Sequence, residues 1–135
     1  MRLVFADTLY WGATLNPNDQ YRAQAVRARE ALGEFHLVTT DEVLTEFLDG
    51  LAQRGRHLRQ AAVRAVCMIL GDPRVTVHPQ SHTSFLAGLE LYAQRYDKGY
   101  SLVDCISMST MRQQGIAQVL TSDRHFVQEG FEVVL

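Results

Sequence analysis

The stretch that decides the fold covers residues 100–126 and reads YSLVDCISMSTMRQQGIAQVLTSDRHF. Its first half predicts a helix that Ser101 caps, with Asp104 at the third helical position. Its second half contains an almost uninterrupted apolar run at residues 116–120, as expected for a strand covered on both faces. Asp123 follows that strand. Because functional groups of open α/β sheets collect just beyond the carboxyl ends of the strands, the stretch predicts a site at this edge.

Strand-like and helix-like segments alternate along the rest of the chain. Short apolar runs predict further strands at residues 3–6, 35–38, 75–77 and 132–135. Apolar residues at helical spacing predict helices at about 21–32, 42–51, 56–70 and 81–96. This alternation is typical of a three-layer α/β/α domain with a mainly parallel sheet. We expect a single domain over residues 1–135, since no linker interrupts the pattern.

For two of these helices, the sequence also predicts what particular side chains do. The helix near residue 42 is expected to begin with a capping box formed by Thr39 and Glu42. The helix at 81–96 is expected to bury its apolar residues, which are Phe85, Leu86, Leu89 and Tyr92. Trp11, Tyr92 and Tyr96 are expected to belong to the core, with a protein-protein contact as the alternative.

The composition indicates an ordinary globular domain, with 47% hydrophobic and 21% charged residues among 135. No run approaches the roughly 18 apolar residues of a membrane span, and the apolar opening is too short for a signal peptide. We therefore expect a cytoplasmic protein. Cys67 and Cys105 lie among apolar neighbours in predicted helices, so both are expected to be buried, reduced thiols.

The net charge of −2 argues against binding nucleic acid through bulk positive charge alone. Twelve of the thirteen basic residues are arginines, however, and Arg54, Arg56, Arg59 and Arg64 lie close together in the sequence. They could form a phosphate-binding face for RNA or simply a solvated helix face, and the sequence leaves both interpretations open.

Four acidic residues form the candidate site. Asp7 and Asp123 each follow a predicted strand, Asp104 begins a helix, and Glu46 lies at the edge of its helix's apolar stripe. Taken singly, each acid could be an ordinary cap, turn or surface residue. If the topology brings them together, their repulsion requires bound cations or shared protons. An all-oxygen ligand set favours Mg²⁺ or Mn²⁺, ions suited to phosphodiester hydrolysis.

In order and spacing, these motifs resemble the PIN-domain ribonucleases, and more narrowly the VapC-type toxins of toxin-antitoxin pairs. The resemblance spans essentially the whole chain. It is carried by Asp7-Thr8, by Glu42-Val43-Leu44-Thr45-Glu46-Phe47, by Tyr100-Ser101-Leu102-Val103-Asp104, and by Leu120-Thr121-Ser122-Asp123-Arg124-His125-Phe126. Leu9 stands where many relatives carry a small polar residue.

The resemblance implies roles for named residues. The metal-binding and catalytic acids would be Asp7, Glu46, Asp104 and Asp123, with Thr8, Thr121 and Ser122 as polar neighbours. It also implies a Mg²⁺- or Mn²⁺-dependent endoribonuclease, often a homodimer, that is blocked by an antitoxin whose tail enters the acidic cleft. It does not identify the RNA.

Other interpretations find less support. His78 and His82 are four residues apart, but Pro79 separates them, so they need not share a helical face as a zinc pair would. His57 and His125 are expected to be surface or packing residues. A receiver-type signalling domain would need a lysine at a late strand end, and the only lysine, Lys98, precedes a helix instead. A non-catalytic or housekeeping PIN-like RNA-binding domain remains the main alternative.

Overall fold

A computed structural model describes residues 1–135 and contains five strands and seven helices. The strands are β1 (Arg2–Ala6), β2 (Phe35–Thr40), β3 (Val75–His78), β4 (Gln118–Leu120) and β5 (Glu132–Val133). The helices are α1 (Thr8–Leu15), α2 (Arg22–Leu32), α3 (Asp41–Leu51), α4 (Arg56–Gly71), α5 (His82–Gln94), α6 (Leu102–Gln114) and α7 (His125–Gln128). The sheet order is β3-β2-β1-β4-β5, and all neighbouring strands are parallel. The predicted three-layer α/β/α fold is confirmed.

Strand β1 lies at the centre of the sheet, and its last three residues are completely buried. From β1 the chain proceeds to β2 and β3 on one side, then returns to β4 and β5 on the other. Such a reversal leaves a crevice at the carboxyl ends of the two strands that flank it. Ala6 of β1 pairs with Leu120 of β4, so Asp7 and Thr121, the residues that follow, emerge side by side at this edge.

Helix α1 is absent from the sequence-based prediction. Its sequence, TLYWGATL, is apolar nearly all round, so it has no polar face to reveal a helical period. Burial explains this composition, because Tyr10, Trp11 and Ala13 are all in the core. The indole N–H of Trp11 donates a hydrogen bond of 3.4 Å to Thr39 Oγ1. The expectation that Trp11 is a core residue is therefore confirmed.

The predicted capping box of Thr39 and Glu42 is wrong. Strand β2 continues to Thr40, and this residue caps α3 by accepting a hydrogen bond of 3.1 Å from the backbone N–H of Val43. The hydroxyl of Thr39 instead donates to the carbonyl oxygen of Ala6, at 2.9 Å. Either of the two adjacent threonines could cap the helix. Because Thr40 still pairs with His78 of β3, the strand extends through Thr40 and the second threonine becomes the cap.

The burial predicted for α5 is also wrong. Its apolar residues are 41–50% exposed: Phe85, Leu86, Leu89 and Tyr92. Helix α5 packs on α6 through Gly88 and Leu91, so the stripe of larger side chains faces away from the core. Tyr96, beyond the end of α5, is 89% exposed and is not a core residue either.

The two cysteines have different environments. Cys105 is buried as predicted, whereas Cys67 is exposed, which corrects the expectation for that residue. Helix α4 packs through Ala62, Ala65 and Ile69, and position 67 lies outside this stripe. None of the helices combines the length and apolar character needed to cross a membrane.

Candidate active site

A cleft of about 510 Å³ opens at the carboxyl edge of β1 and β4. It is lined by Asp7, Thr8, Leu9, Glu46, Gly99, Ser101, Asp104, Thr121, Asp123 and His125. The structure thus brings all four acids of the candidate site to one cleft. Of the three polar neighbours, Thr8 and Thr121 contribute to the lining and Ser122 does not.

Asp7 is the most buried of the four acids, with 7% of its surface exposed. Its carboxylate accepts a hydrogen bond of 3.0 Å from the hydroxyl of Thr121. The pKa of Asp7 is raised from 3.8 to about 7, chiefly by burial and also by the nearby charges of Asp104 and Glu46, which together outweigh the lowering effect of the hydrogen bonds from Thr8 and Thr121. Without a cation, this carboxyl group therefore holds its proton close to neutral pH.

Glu46 reaches the cleft from the side of α3. The buried residues Val43, Leu44 and Phe47 fix the rotation of this helix about its axis, which directs Glu46 sideways. The hydroxyl of Thr8, at the start of α1, donates a hydrogen bond of 2.5 Å to Glu46 Oε1. The predicted position of Glu46 at the edge of the helix is confirmed. The hydrogen bond from Thr8 connects Glu46 to the segment that carries Asp7.

Asp104 and Asp123 also take part in a local helix cap and a local turn, which are the ordinary roles that each acid could have in the absence of a functional site. Asp104 accepts a hydrogen bond of 3.2 Å from the backbone N–H of Ser101, whose hydroxyl accepts one of 3.0 Å in return. Asp123 Oδ1 accepts a hydrogen bond of 2.9 Å from the backbone N–H of His125. These local bonds orient both carboxylates, and both still line the cleft.

His125 lies in this cleft, which corrects its interpretation as a surface or packing residue. Its Nδ1 is 3.4 Å from Asp104 Oδ2 and 3.4 Å from Asp123 Oδ1. One ligand atom from each of the three residues fits within 4.8 Å of the others. The one feature of the sequence that indicates this location is that His125 follows Asp123 by two residues, in the same turn.

The donor set of the cleft fits a metal cation. The lining contains four carboxylates and neither a lysine nor an arginine. Carboxylates packed this closely repel one another unless a cation or a proton intervenes, as the raised pKa of Asp7 illustrates. This acidic cluster could therefore bind a metal.

The four arginines singled out in the sequence do not act as one group. Arg54 and Arg64 line a groove of about 550 Å³ between α1, α3 and α4, and this groove shares Thr8 and Glu46 with the acidic cleft. Arg59 donates a hydrogen bond of 2.8 Å to the carbonyl oxygen of Ala52, the C-cap of α3. Arg56 is exposed at the start of α4.

Residues 4–131 match the profile of the PIN domain. The chain belongs to the PIN-domain family. It is 31% identical over 134 residues to the 23S rRNA-specific endonuclease VapC20 of Mycobacterium tuberculosis, a match that covers 96% of this chain and 95% of VapC20. These matches confirm the predicted VapC-type PIN-domain endonuclease toxin and contradict the receiver-type alternative.

Solved PIN-domain structures agree with this assignment. The crystal structure of M. tuberculosis VapC20, described as a sarcin-ricin loop cleaving toxin, superposes with a TM-score of 0.82 and 28% identity over 95% of each chain. VapBC2 from Rickettsia felis, solved bound to a DNA fragment from its promoter, superposes with a TM-score of 0.65 and 14% identity, over 97% of this chain and 96% of that chain. At this identity, the second match supports the fold alone.

Proposed function

We propose that this PIN domain hydrolyses RNA phosphodiester bonds with a Mg²⁺ or Mn²⁺ ion held by its four cleft acids. The ligands would be Asp7, Glu46, Asp104 and Asp123. The observation that carries the proposal is their convergence on one cleft whose lining contains neither a lysine nor an arginine. Oxygen donors of this kind favour hard divalent ions, which retain water molecules and accept a phosphate oxygen.

The side chains around the cleft supply orientation and charge. Thr121 holds the carboxylate of Asp7 and Thr8 holds that of Glu46, so both acids are positioned before substrate arrives. Asp7, which keeps its proton near neutral pH in the metal-free protein, would release it as cation binds. A bound ion lowers the pKa of a water molecule and neutralises charge on the leaving oxygen. Without a cation, the same carboxylates would repel an RNA phosphate.

The proposed substrate is a structured RNA loop, with 23S rRNA as the first candidate. Support comes from the 31% identity to VapC20, whose name gives 23S rRNA as its substrate. Among the four arginines, Arg54 and Arg64 are the best placed to contact RNA, because the groove that both line adjoins the acidic cleft at Glu46. Arg56 and Arg59 do not line this groove and are weaker candidates for RNA contact. Ribosomal RNA as substrate would place the protein in the cytoplasm.

The proposed partners are an antitoxin and a second copy of this chain. Relatives of the same fold have been solved as toxin-antitoxin pairs, among them R. felis VapBC2. An antitoxin tail could follow the groove between α1, α3 and α4 into the cleft, because the two share Thr8 and Glu46. The exposed apolar face of α5, which comprises Phe85, Leu86, Leu89 and Tyr92, supports a homodimer.

Cleavage of RNA by the purified protein tests the proposed function. We expect cuts in ribosomal RNA with Mg²⁺ or Mn²⁺, and loss of cleavage with EDTA, Asp7→Asn or Glu46→Gln. Asp49→Asn is the matched control, because Asp49 is exposed on the same helix as Glu46 and lies outside the cleft. If an Asp7→Asn, Asp104→Asn double variant cut as fast as the parent, the mechanism would be wrong. Absence of cleavage across broad RNA pools would favour a non-catalytic PIN-like binding domain.

A further inference from the structure

The side chain of His125 bridges two carboxylates that no direct hydrogen bond connects. Asp104 belongs to the first turn of α6, and Asp123 belongs to the loop after β4. The imidazole Nδ1 lies 3.4 Å from an oxygen of each. Because one nitrogen contacts both acids, the position of the imidazole constrains the distance between them.

The ring of His125 packs against the ring of Tyr100. Its centroid lies 5.2 Å from that of the Tyr100 ring, at an interplanar angle of 57°. The hydroxyl of Tyr100 donates a hydrogen bond of 3.2 Å to Glu129 Oε1. The side chain of Glu129 is 5% exposed and forms ion pairs with Arg95 at 2.5 Å and Arg112 at 2.6 Å.

This arrangement connects the end of α5, both ends of α6 and the end of α7. Arg95 is the C-cap of α5, Arg112 lies in the last turn of α6, and Glu129 is the C-cap of α7. A buried, doubly paired carboxylate of this kind is costly to rearrange. The imidazole is therefore supported by packed elements and not by a loop alone.

We propose that His125 is a positioning residue, which holds Asp104 and Asp123 through Nδ1 at the separation that a shared divalent cation requires. The inference rests on the proposed function of the cleft and adds a residue to it. An N–H that donates to one oxygen of a carboxylate leaves the other oxygen free for a cation and reduces the repulsion between the two acids. Losing such an outer contact typically lowers metal affinity or activity by about 10- to 100-fold.

Three substitutions at position 125 separate this role from simple packing. An asparagine can place its amide nitrogen at the same bond separation from Cβ as imidazole Nδ1, whereas a glutamine matches Nε2. His125→Asn should therefore preserve the contact, and His125→Gln and His125→Ala should lose it. His57→Asn is the matched control, because His57 is exposed in the first turn of α4.

The measurement is Mn²⁺ binding to the full chain by titration calorimetry, without RNA. We expect affinity to fall by about 10- to 100-fold in His125→Ala and His125→Gln, and to stay within about threefold of the parent in His125→Asn and His57→Asn. In cleavage assays, the Mn²⁺ concentration for half-maximal rate should shift in parallel, with the KM for RNA within about twofold of the parent. If His125→Ala proves unfolded by circular dichroism, the comparison of asparagine with glutamine decides the question.

Two results would overturn the inference: unchanged Mn²⁺ affinity in all three variants, or equal losses in the asparagine and glutamine variants. Failure of the proposed function gives a different result. If the parent binds Mn²⁺ but cuts no RNA, the nuclease proposal fails, while calorimetry still decides the role of His125. A parent chain that binds no Mn²⁺ overturns both.

Discussion

The hydroxyl of Thr121 donates a hydrogen bond of 3.0 Å to Oδ2 of Asp7, across 114 positions of the sequence. The hydroxyl oxygen of Thr121, Oγ1, also accepts a hydrogen bond of 3.2 Å from the backbone N–H of Asp123. Thr121 is completely buried and directly follows Leu120, the partner of Ala6 in the sheet. One buried hydroxyl therefore positions both the first acid of the cleft and the turn that carries the last.

Replacing Thr121 with valine should damage the site and the fold together. The valine keeps the shape but removes the hydroxyl, which leaves Asp7 and the N–H of Asp123 without this partner. We expect a loss of about 1–3 kcal/mol in the free energy of unfolding, measured by urea denaturation. Mn²⁺ affinity should fall by about 10-fold or more, because the donor that orients Asp7 is lost.

Thr121→Ser is the control for this substitution, because serine retains the hydroxyl and loses only a methyl group. Its Mn²⁺ affinity should stay within about threefold of the parent, although the missing methyl group costs about 1 kcal/mol of stability. Equal Mn²⁺ affinities in the valine and serine variants would show that the hydroxyl does not orient Asp7.

The buried carboxyl group of Asp7 predicts how stability depends on pH in metal-free protein. The folded state holds its proton up to about pH 7, whereas the unfolded chain releases it near 3.8. Unfolding between these values releases a proton, so the Asp7 contribution is fully present below about pH 4 and is lost as the pH rises to about 7. The rise in pKa corresponds to at most about 4 kcal/mol.

Asp7→Asn tests this directly, because the amide cannot ionise. In EDTA at pH 8, we expect the asparagine variant to be more stable than the parent by thermal unfolding, and the difference should shrink toward pH 4. Adding Mn²⁺ should stabilise the parent and not the variant, since cation binding favours the folded state. A parent chain whose metal-free stability changes no more between pH 4 and 8 than that of the variant would contradict the raised pKa.

Most of the sheet and the position of the acids could be predicted from the sequence. Strands β1 and β4 are apolar runs that end in polar residues, so Asp7 and Asp123 could be assigned to the same edge. Glu46 followed from the apolar stripe of α3, whose period is clear. These inferences succeeded because local patterns reflect burial on one or both faces of an element.

The failures have a common physical cause. Helix α1 is largely buried, and α5 exposes its larger apolar residues to solvent. In neither helix does the pattern of apolar residues indicate which side faces the core. The contact of His125 with Asp104 spans 21 positions and depends on how α6 meets the loop after β4. Such a tertiary contact leaves no local pattern in the sequence. The only indication is that His125 lies two residues after Asp123.

The close contact between α5 and α6 predicts a large effect of a small substitution. A Cβ atom on Gly88 would lie 2.3 Å from Ile106 Cγ1 and 3.2 Å from the backbone of Ile106. Gly88→Ala should therefore destabilise the protein by about 1–3 kcal/mol, despite the better helix propensity of alanine. Urea denaturation measures this change.

Gly50→Ala is the matched control, because Gly50 lies within α3 and a Cβ atom there meets nothing within 4 Å. The control should leave stability unchanged or raise it by up to about 1 kcal/mol. If the two substitutions had the same effect, α5 and α6 would not pack as closely as described.

The exposed face of α5 predicts self-association that one charge should disrupt. Leu89 is 43% exposed, and with Phe85, Leu86 and Tyr92 it gives α5 an apolar surface of a kind that seldom stays unpaired in a monomer. Sedimentation equilibrium should show a dimer for the parent and a monomer for Leu89→Glu, because a buried, unpaired carboxylate opposes association. Val63→Glu, at a 55% exposed position of α4, should remain dimeric. A parent chain that is monomeric up to about 100 μM would contradict the proposed homodimer, since an affinity weaker than this corresponds to less than about 5.5 kcal/mol of association free energy.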